Sequence, residues 1–186
     1  IGFQYVVSIG LIIGSSFIQI QNNYIRYYKL GFDKDQVAMV TLSQDIVKKS
    51  GDLLVNRFKE YAGIEDVGFA NTIVGASDVY SANDFRYNNK EFNSEIIDVS
   101  WNFLNVMGIP VTSGRDFSRS DAQNDSTFAC IFTKRVLDVV PDMEPGHPLE
   151  KSWMGTGNIV GFIDNIKVSS LRSSNRPLLF RLSARF

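Results

Sequence analysis

The chain has 186 residues, and nineteen basic against twenty acidic side chains leave a formal net charge of −1. No basic excess is present to neutralise phosphates, which excludes an electrostatically driven nucleic-acid binder. One cysteine excludes an internal disulfide and a multi-cysteine zinc site, and one histidine makes histidine-based metal or triad chemistry hard to build. A hydrophobic content of 44% is sufficient for a globular core.

The first 25 residues carry no charged side chain. As an α-helix they would span about 37 Å, and a bilayer core requires about 20 residues. We therefore predict a transmembrane helix over 1–25, in which Gly10 and Gly14 have the small-xxx-small spacing that lets another helix pack closely. A buried helix of a soluble domain is the alternative. A signal peptide fits poorly, because a positive n-region and a small-x-small cleavage site are both missing.

Residues 26–35 are predicted to form a stalk and a junction. Tyr24, Tyr27 and Tyr28 lie near the end of the apolar run, as in an interfacial aromatic belt. The positive-inside rule, applied to this flank alone, would place its three basic residues in the cytoplasm: Arg26, Lys29 and Lys34. The opposite flank is needed for the comparison that this rule makes.

The segment 36–43 is predicted to be a strand because it is rich in Val and Thr. A helix is predicted from about Ser50 to Ala62, with Gly63 as its stop. A second strand is predicted over 64–74. Strand, helix and strand together predict a βαβ-type unit.

The rest of the chain is predicted to contain more strands than helices. Residues 75–92 are polar and typical of turns, and 141–157 are predicted to be a loop. Further strands are predicted at 93–100, 128–133, 158–166 and 177–183, with short helices at 101–108 and 134–140. Helices and strands alternate early and strands crowd together later, which predicts an α+β fold.

The sequence lacks the motifs of common catalytic and nucleotide-binding sites, including the Walker A loop, the nucleophile elbow, the zinc-protease helix and the dinucleotide-binding glycine pattern. We interpret His147 as an exposed loop residue and Cys130 as a buried, inert thiol. We therefore predict that the chain is not an enzyme and has no catalytic, cofactor-binding or metal-binding residues.

Several motifs occur in order along the chain, and together they resemble the MacB-like periplasmic core domain of FtsX-like ABC-transporter permeases, preceded by its transmembrane helix. No single motif is specific; the ordered set carries the resemblance. The motifs are the apolar segment with its stalk, Met107-Gly108-Ile109, Gly114-Arg115-Asp116-Phe117, Val160-Gly161 with Asp164, and Leu171 followed by Pro177.

The resemblance implies an N-terminal transmembrane and stalk helix that leads into a mixed α/β periplasmic domain over 36–186, incomplete beyond Phe186. It implies a non-catalytic permease subunit in the bacterial inner membrane, with residues after about 26 in the periplasm. Such a subunit couples ATP-driven helix motion to export or extraction of a substrate, or to a periplasmic partner. The implied partners are a separate ATP-binding subunit and a second permease copy or half. The alternative is a single-span membrane-anchored sensor or ligand-binding domain.

Two groups of residues receive predicted roles. Leu30, Gly31 and Phe32 are expected to seat the membrane helix on the domain as a stalk–domain junction. In the structural turn Gly114-Arg115-Asp116-Phe117, the glycine is expected to adopt a positive φ and Phe117 to anchor the core. Arg115 and Asp116 are expected to form a local ion pair that holds this turn.

Overall fold

The structure is a computed structural model that describes residues 2–27, 31, 36–74, 81–123, 127–151, 155–166 and 176–183. The chain divides into two compact units, residues 1–30 and residues 31–186.

The first unit consists of helix α1, Gly2–Tyr27, which has 26 residues. No residue of the helix is buried, so the rest of the chain leaves its apolar side chains exposed. Its length and apolar composition are sufficient to cross a membrane, with a mean hydropathy of 1.6 in the most apolar window. Among the described residues it is the one helix that meets this test.

The second unit contains two helices and seven strands in its described part. The helices are α2, Gln44–Lys59, and α3, Phe103–Val106. The strands are β1, Ser81–Tyr87; β2, Lys90–Val99; β3, Val111–Gly114; β4, Thr127–Thr133; β5, Pro148–Lys151; β6, Gly155–Ile163; and β7, Leu178–Leu182. Short 3₁₀ turns occur at Arg119–Gln123 and Lys134–Asp138.

The seven strands form one mixed sheet in the order β3-β6-β4-β7-β2-β1-β5. The β2–β7 and β4–β6 pairs are parallel and the other pairs are antiparallel. β5 pairs with β1 on one side and with the first half of β6 on the other. Six strands therefore close into a ring, and β3 lies beside the second half of β6.

The neighbouring strands β4 and β7 of this ring are buried on both faces. Successive side chains of a strand point to opposite sides, and along β4 Ile131 belongs to one hydrophobic cluster while its neighbours Cys130 and Phe132 belong to the other. The first cluster also includes the α3 residues Phe103 and Leu104, so this short helix covers one face of the sheet.

The predicted α+β class and the strands at 93–100, 128–133, 158–166 and 177–183 are confirmed, with boundaries shifted by a few residues. The short helix predicted after the first of these strands is also present as α3. It ends before Gly108, which has a φ of +64°. The predicted helix near 134–140 is present as a 3₁₀ turn.

The strand–helix–strand unit predicted over 36–74 does not form. Residues 36–43 are irregular, with Met39 57% and Val40 71% exposed. Residues 64–74 make one isolated bridge, between Ala70 and Val99. Val and Thr content favours a strand only where a neighbouring strand supplies hydrogen bonds, and in the described residues these two segments lack one over most of their length.

Helix α2 lies between these segments and begins earlier than predicted, at Gln44 rather than near Ser50. Ser50 has non-helical angles, φ −140° and ψ 17°, and marks a kink inside the helix. The helix ends at Lys59 rather than near Ala62. Its predicted apolar face is only partly covered, because Leu54 and Phe58 are half-buried while Tyr61, just beyond the helix, is exposed.

A β-hairpin occupies much of the segment that was predicted to be turns at 75–92. Ser81–Tyr87 and Lys90–Val99 pair around a two-residue turn, Asn88-Asn89, and both asparagines have positive φ angles of 47° and 64°. Such angles match the type I′ hairpin turn. The predicted loop 141–157 likewise contains β5 and the start of β6.

Candidate functional site

The predicted structural turn lies at a corner where β3 leaves β6. Gly114 has a φ of +79°, and it lies opposite Gly161 in the β3–β6 register. A Cβ atom on Gly161 would lie 2.7 Å from the Arg115 carbonyl oxygen. One on Gly114 would overlap the Val160 carbonyl oxygen. Two motifs that are far apart in the sequence therefore meet backbone to backbone, and both need a residue without a side chain.

Arg115 holds the other side of this corner. Its backbone N–H donates to the Val160 carbonyl oxygen at 2.9 Å. Its guanidinium donates to both carboxylate oxygens of Asp121, at 2.7 and 2.8 Å, and not to the carboxylate of Asp116 as predicted. The Asp116 carbonyl oxygen accepts a bond from Arg115 instead, at 3.0 Å. The planar guanidinium binds a carboxylate best through two parallel hydrogen bonds. Asp121, six residues along the chain, accepts both, whereas the carboxylate of the adjacent Asp116 accepts neither.

The two carboxylates at the corner have opposite electrostatic environments. The hydrogen bond from Arg115, opposed by partial burial and aided by Ser118, lowers the pKa of Asp121 from 3.8 to about 2. Burial raises the pKa of Asp116, against a hydrogen bond from the Phe117 backbone N–H and the nearby Arg115 charge. Phe117 itself is buried in the first hydrophobic cluster. The corner thus combines a close backbone contact, an ion pair and an apolar anchor.

A polar network that sequence reasoning missed joins the end of α2 to the sheet. Lys59 Nζ lies 2.6 Å from Asp66 Oδ1. The buried Asn102 amide donates to Asp66 Oδ2 at 2.8 Å and to the Val67 carbonyl oxygen at 3.0 Å. The Ser100 hydroxyl donates to Asn102 Oδ1 at 2.9 Å. Burial alone would raise the pKa of Asp66, but the hydrogen bonds from Lys59, Asn102 and Val67 lower it.

Of the three residues predicted to form the stalk–domain junction, the structure describes Gly31. Gly31 begins the second unit with a φ of +89°, and a Cβ atom there would lie 2.6 Å from Ile166 Cγ2. Ile166 packs in turn against the first hydrophobic cluster. Leu30 and Phe32 lie outside the described residues.

The predicted helix-packing residues of α1 are open to a neighbour. Nothing lies within 4 Å of a Cβ atom built on Gly10 or Gly14. Two hydroxyls of the helix are satisfied internally, because Ser15 donates to the Leu11 carbonyl oxygen at 2.7 Å and Ser16 to that of Ile12 at 2.8 Å. Such bonds to the preceding turn let serine lie in an apolar environment.

Neither of the two residues with catalytic potential lies in a reactive setting. Cys130 is buried, and burial raises the pKa of its thiol far above the ordinary value. His147 is exposed and makes an edge contact with Tyr87, at 6.4 Å between ring centroids. In the described part of the chain, no three His, Cys, Asp or Glu side chains form a group that could hold a metal ion.

Two of the solved structures that the chain resembles are a periplasmic region and an extracellular domain of bacterial proteins. The chain resembles the periplasmic region of MacB from Actinobacillus actinomycetemcomitans, with 13% identity, a TM-score of 0.50, and coverage of 70% of this chain and 54% of that one. It also matches the extracellular domain of the noncanonic ABC-type transporter YknZ from Gram-positive bacteria, with 14% identity, a TM-score of 0.47, and coverage of 69% and 59%.

The chain therefore has the α+β fold of a MacB-like periplasmic domain. It spans only 54% to 59% of the length of these two structures. No known protein family and no curated protein matches the sequence.

Proposed function

We propose that the chain is part of the permease subunit of an ABC transporter, and that the residues after about 26 form its non-catalytic extracytoplasmic domain. The observation that carries this proposal is the direct succession of an exposed apolar helix, long enough to cross a membrane, and a domain with the fold of the MacB periplasmic region. The proposed location is the bacterial inner membrane, with the second unit in the periplasm.

The proposed partners follow from the permeases that the sequence resembles. A separate ATP-binding subunit hydrolyses ATP, and a second permease copy or half completes the membrane part. The domain acts on an exported or extracted substrate, or on a periplasmic partner. This orientation puts Arg26 on the outer side, against the positive-inside rule, so the orientation is the first point to test.

A cysteine at an exposed position of the domain tests this orientation. Asn105, on the exposed side of α3, is replaced by cysteine in the full-length protein, and intact cells are treated with a membrane-impermeant maleimide. The native Cys130 gives the background, since it is buried. We expect labelling of Asn105→Cys without lysis, and labelling only after lysis would contradict the proposed orientation.

Purification of the full-length protein from membranes tests the assembly. We expect it to copurify with a subunit that hydrolyses ATP. A single-span sensor would be recovered without such a subunit and attached to a signalling domain. ATP hydrolysis by this polypeptide alone would contradict the assignment of a non-catalytic role.

A coupling role is supported by the contacts of Gly31. This residue is the first of the second unit and lies against Ile166, which follows β6 by three residues. β6 pairs with β3, β4 and β5 and carries Gly161 of the corner. A movement of the backbone at Gly31 would therefore be transmitted through Ile166 to β6, the strand that pairs with three others.

Gly31→Val tests this coupling. The valine side chain would collide with Ile166, and the positive φ at position 31 disfavours any residue with a Cβ atom. In the complex with the ATPase, we expect hydrogen exchange of β6 to change on ATP binding in the parent and to be insensitive in the variant. Gly63→Val is the matched control, since nothing lies within 4 Å of its Cβ position. If β6 still responds to ATP in Gly31→Val, Gly31 is not the coupling point.

A further inference from the structure

The polar side chains of α1 are concentrated on one side of the helix. At about 100° per residue, six of its nine Ser, Asn, Gln and Arg side chains fall within an arc of about 60° that runs along the whole length. We call this set the polar stripe: Gln4, Ser8, Ser15, Gln19, Asn22 and Arg26. All of these side chains are exposed, so the chain itself does not cover them within its described residues.

The remaining surface of α1 has two other faces. An apolar arc suited to lipid lies about 140° from the polar stripe and is formed by Val6, Ile9, Ile13 and Ile20. Gly10, Gly14 and Gln21 form a third face, about 130° from the stripe on the other side. The helix therefore has one face for lipid and two distinct faces on which other helices can pack.

The spacing within the polar stripe is that of a left-handed helix pair. Ser8, Ser15 and Asn22 recur every seven residues, with Leu11 and Ile18 at the alternating positions between them. A strict seven-residue repeat favours a left-handed pair with small residues at its closest approach. The four-residue spacing of Gly10 and Gly14 favours a right-handed crossing instead.

An amide of the stripe also requires a partner. Among the described residues, no hydrogen bond involves the side chain of Gln19, whereas the Ser15 hydroxyl is satisfied within the helix. Gln19 lies about 7 Å from the helix midpoint, well inside a hydrocarbon core about 30 Å thick. An unsatisfied amide at that depth is costly, which favours a hydrogen bond from another helix.

We infer that the polar stripe is the face on which α1 pairs with a second copy of itself; this inference rests on the proposed function. Amides and hydroxyls both donate and accept, so the stripe is complementary to its own copy. Around a two-fold axis parallel to the helices, Ser15 meets Ser15 of the other copy, and the two Gln19 amides come within reach of each other. The two Arg26 side chains lie at the end of the helix, where water and salt screen their repulsion.

Disulfide cross-linking in membranes identifies the paired face. The full-length chain is expressed with single replacements Ser8→Cys, Ser15→Cys, Ile13→Cys or Gly14→Cys, and inner-membrane vesicles are oxidised. Cys130 is buried and gives the background. We expect a disulfide-linked dimer from the Ser8 and Ser15 variants, and none above background from the Ile13 and Gly14 variants.

A matched pair of glutamines tests the proposed hydrogen bond. Gln19→Leu removes the amide from the stripe, and Gln21→Leu removes one at similar depth from the glycine face. In the Ser15→Cys background, we expect Gln19→Leu to lower the dimer yield about threefold, the average effect of a hydrogen bond between membrane helices. Gln21→Leu is expected to leave the yield unchanged.

The outcomes separate this inference from the proposed function. If the Gly14 variant cross-links and Gln21→Leu lowers the yield, the glycine face pairs and the inference is overturned. If the chain is integrated in the membrane and the stripe variants do not cross-link, a different helix covers the stripe and only the inference fails. If alkaline carbonate releases the chain from the membrane, both the inference and the permease proposal fail.

Discussion

Helix α1 and strand β4 are both strongly apolar, and yet their burial is opposite. None of the 26 residues of α1 is buried, while five of the seven residues of β4 are. The strand lies between two other strands and between two hydrophobic clusters. Within the described residues, the chain thus removes the apolar groups of the sheet from water, whereas those of α1 stay exposed.

This difference separates two sources of stabilisation. Side chains of the sheet contribute to the folding free energy of the second unit, because unfolding exposes them to water. In the membrane-spanning role proposed for α1, its side chains would contribute to the transfer free energy into a bilayer instead. Substitutions in one region are therefore expected to leave the property of the other region unchanged.

The largest effect is expected for Phe180→Ala. Phe180 is fully buried, and its ring lies 5.9 Å from that of Phe103. The loss of this side chain leaves a cavity and should lower the free energy of unfolding by about 3–5 kcal/mol, as measured by urea denaturation. Phe17→Ala in α1 is the matched control and should leave that value unchanged. Equal effects of the two variants would show that α1 packs on the sheet.

Ile13→Lys is expected to act only on α1. Ile13 lies near the middle of the helix and on its apolar arc. A lysine at the centre of a membrane helix is less favourable by about 3 kcal/mol. We expect the membrane-integrated fraction to fall strongly in an alkaline carbonate extraction, with no change in urea denaturation of the second unit. Unaltered integration would contradict a membrane-spanning role for α1.

Gly114→Ala tests the corner inside the sheet. A positive φ disfavours alanine, and the added Cβ would overlap the Val160 carbonyl oxygen, so the expected loss of unfolding free energy is about 3 kcal/mol. Gly146 has a φ of +89° but no atom within 4 Å of its Cβ position. Gly146→Ala should therefore cost only about 1–2 kcal/mol. Similar losses for the two variants would show that the close contact with β6 is unimportant.

The smallest predicted effect is the pH dependence due to Asp121. Its folded-state pKa is about 2, below the ordinary value of 3.8. Its contribution is therefore present above about pH 4 and is lost as the pH falls towards 2. It should amount to about 1 kcal/mol, because the Arg115 partner is half exposed to solvent. Asp121→Asn should flatten the acid side of a plot of unfolding free energy against pH.

Asp116 is the control, because its pKa is shifted in the opposite direction to that of Asp121. Burial raises its folded-state pKa, so its protonated form stabilises the fold at low pH, and this contribution is lost as the pH rises through that pKa. Asp116→Asn should increase stability at neutral pH and steepen the loss on the acid side. The same slope in both variants would contradict the opposite environments of these two carboxylates.

Some of the fold could be predicted from short stretches of sequence. β4 and the second half of β6 are apolar runs, and β7 is apolar except for Arg181, as is typical of strands buried on both faces. The hairpin of β1 and β2 was missed although its signal is present, since Phe85 and Tyr87 alternate with exposed polar residues before the Asn88-Asn89 turn. The polar composition of the exposed face was mistaken for that of a loop.

The candidate site was only partly accessible to sequence reasoning. The motif with Gly114 and the motif with Gly161 were both recognised, but their contact depends on the antiparallel pairing of β3 with β6. The partner of Arg115 was predicted to be its neighbour and is Asp121, because the 3₁₀ turn at Arg119–Gln123 brings that carboxylate back to the corner. The Lys59–Asp66–Asn102–Ser100 network joins segments that no local pattern connects.

The sequence by itself determined that α1 is a long apolar helix, because the hydrogen bonds of a helix lie within a few residues and the first 25 residues carry no charged side chain. It also located the strands at 93–100, 128–133, 158–166 and 177–183 to within a few residues. Only the tertiary structure decided that 36–43 and most of 64–74 remain outside the sheet, that six strands close into a ring, and that Gly114 meets Gly161. These features depend on partners far away in the chain, since a strand is stable only when another strand completes its hydrogen bonds.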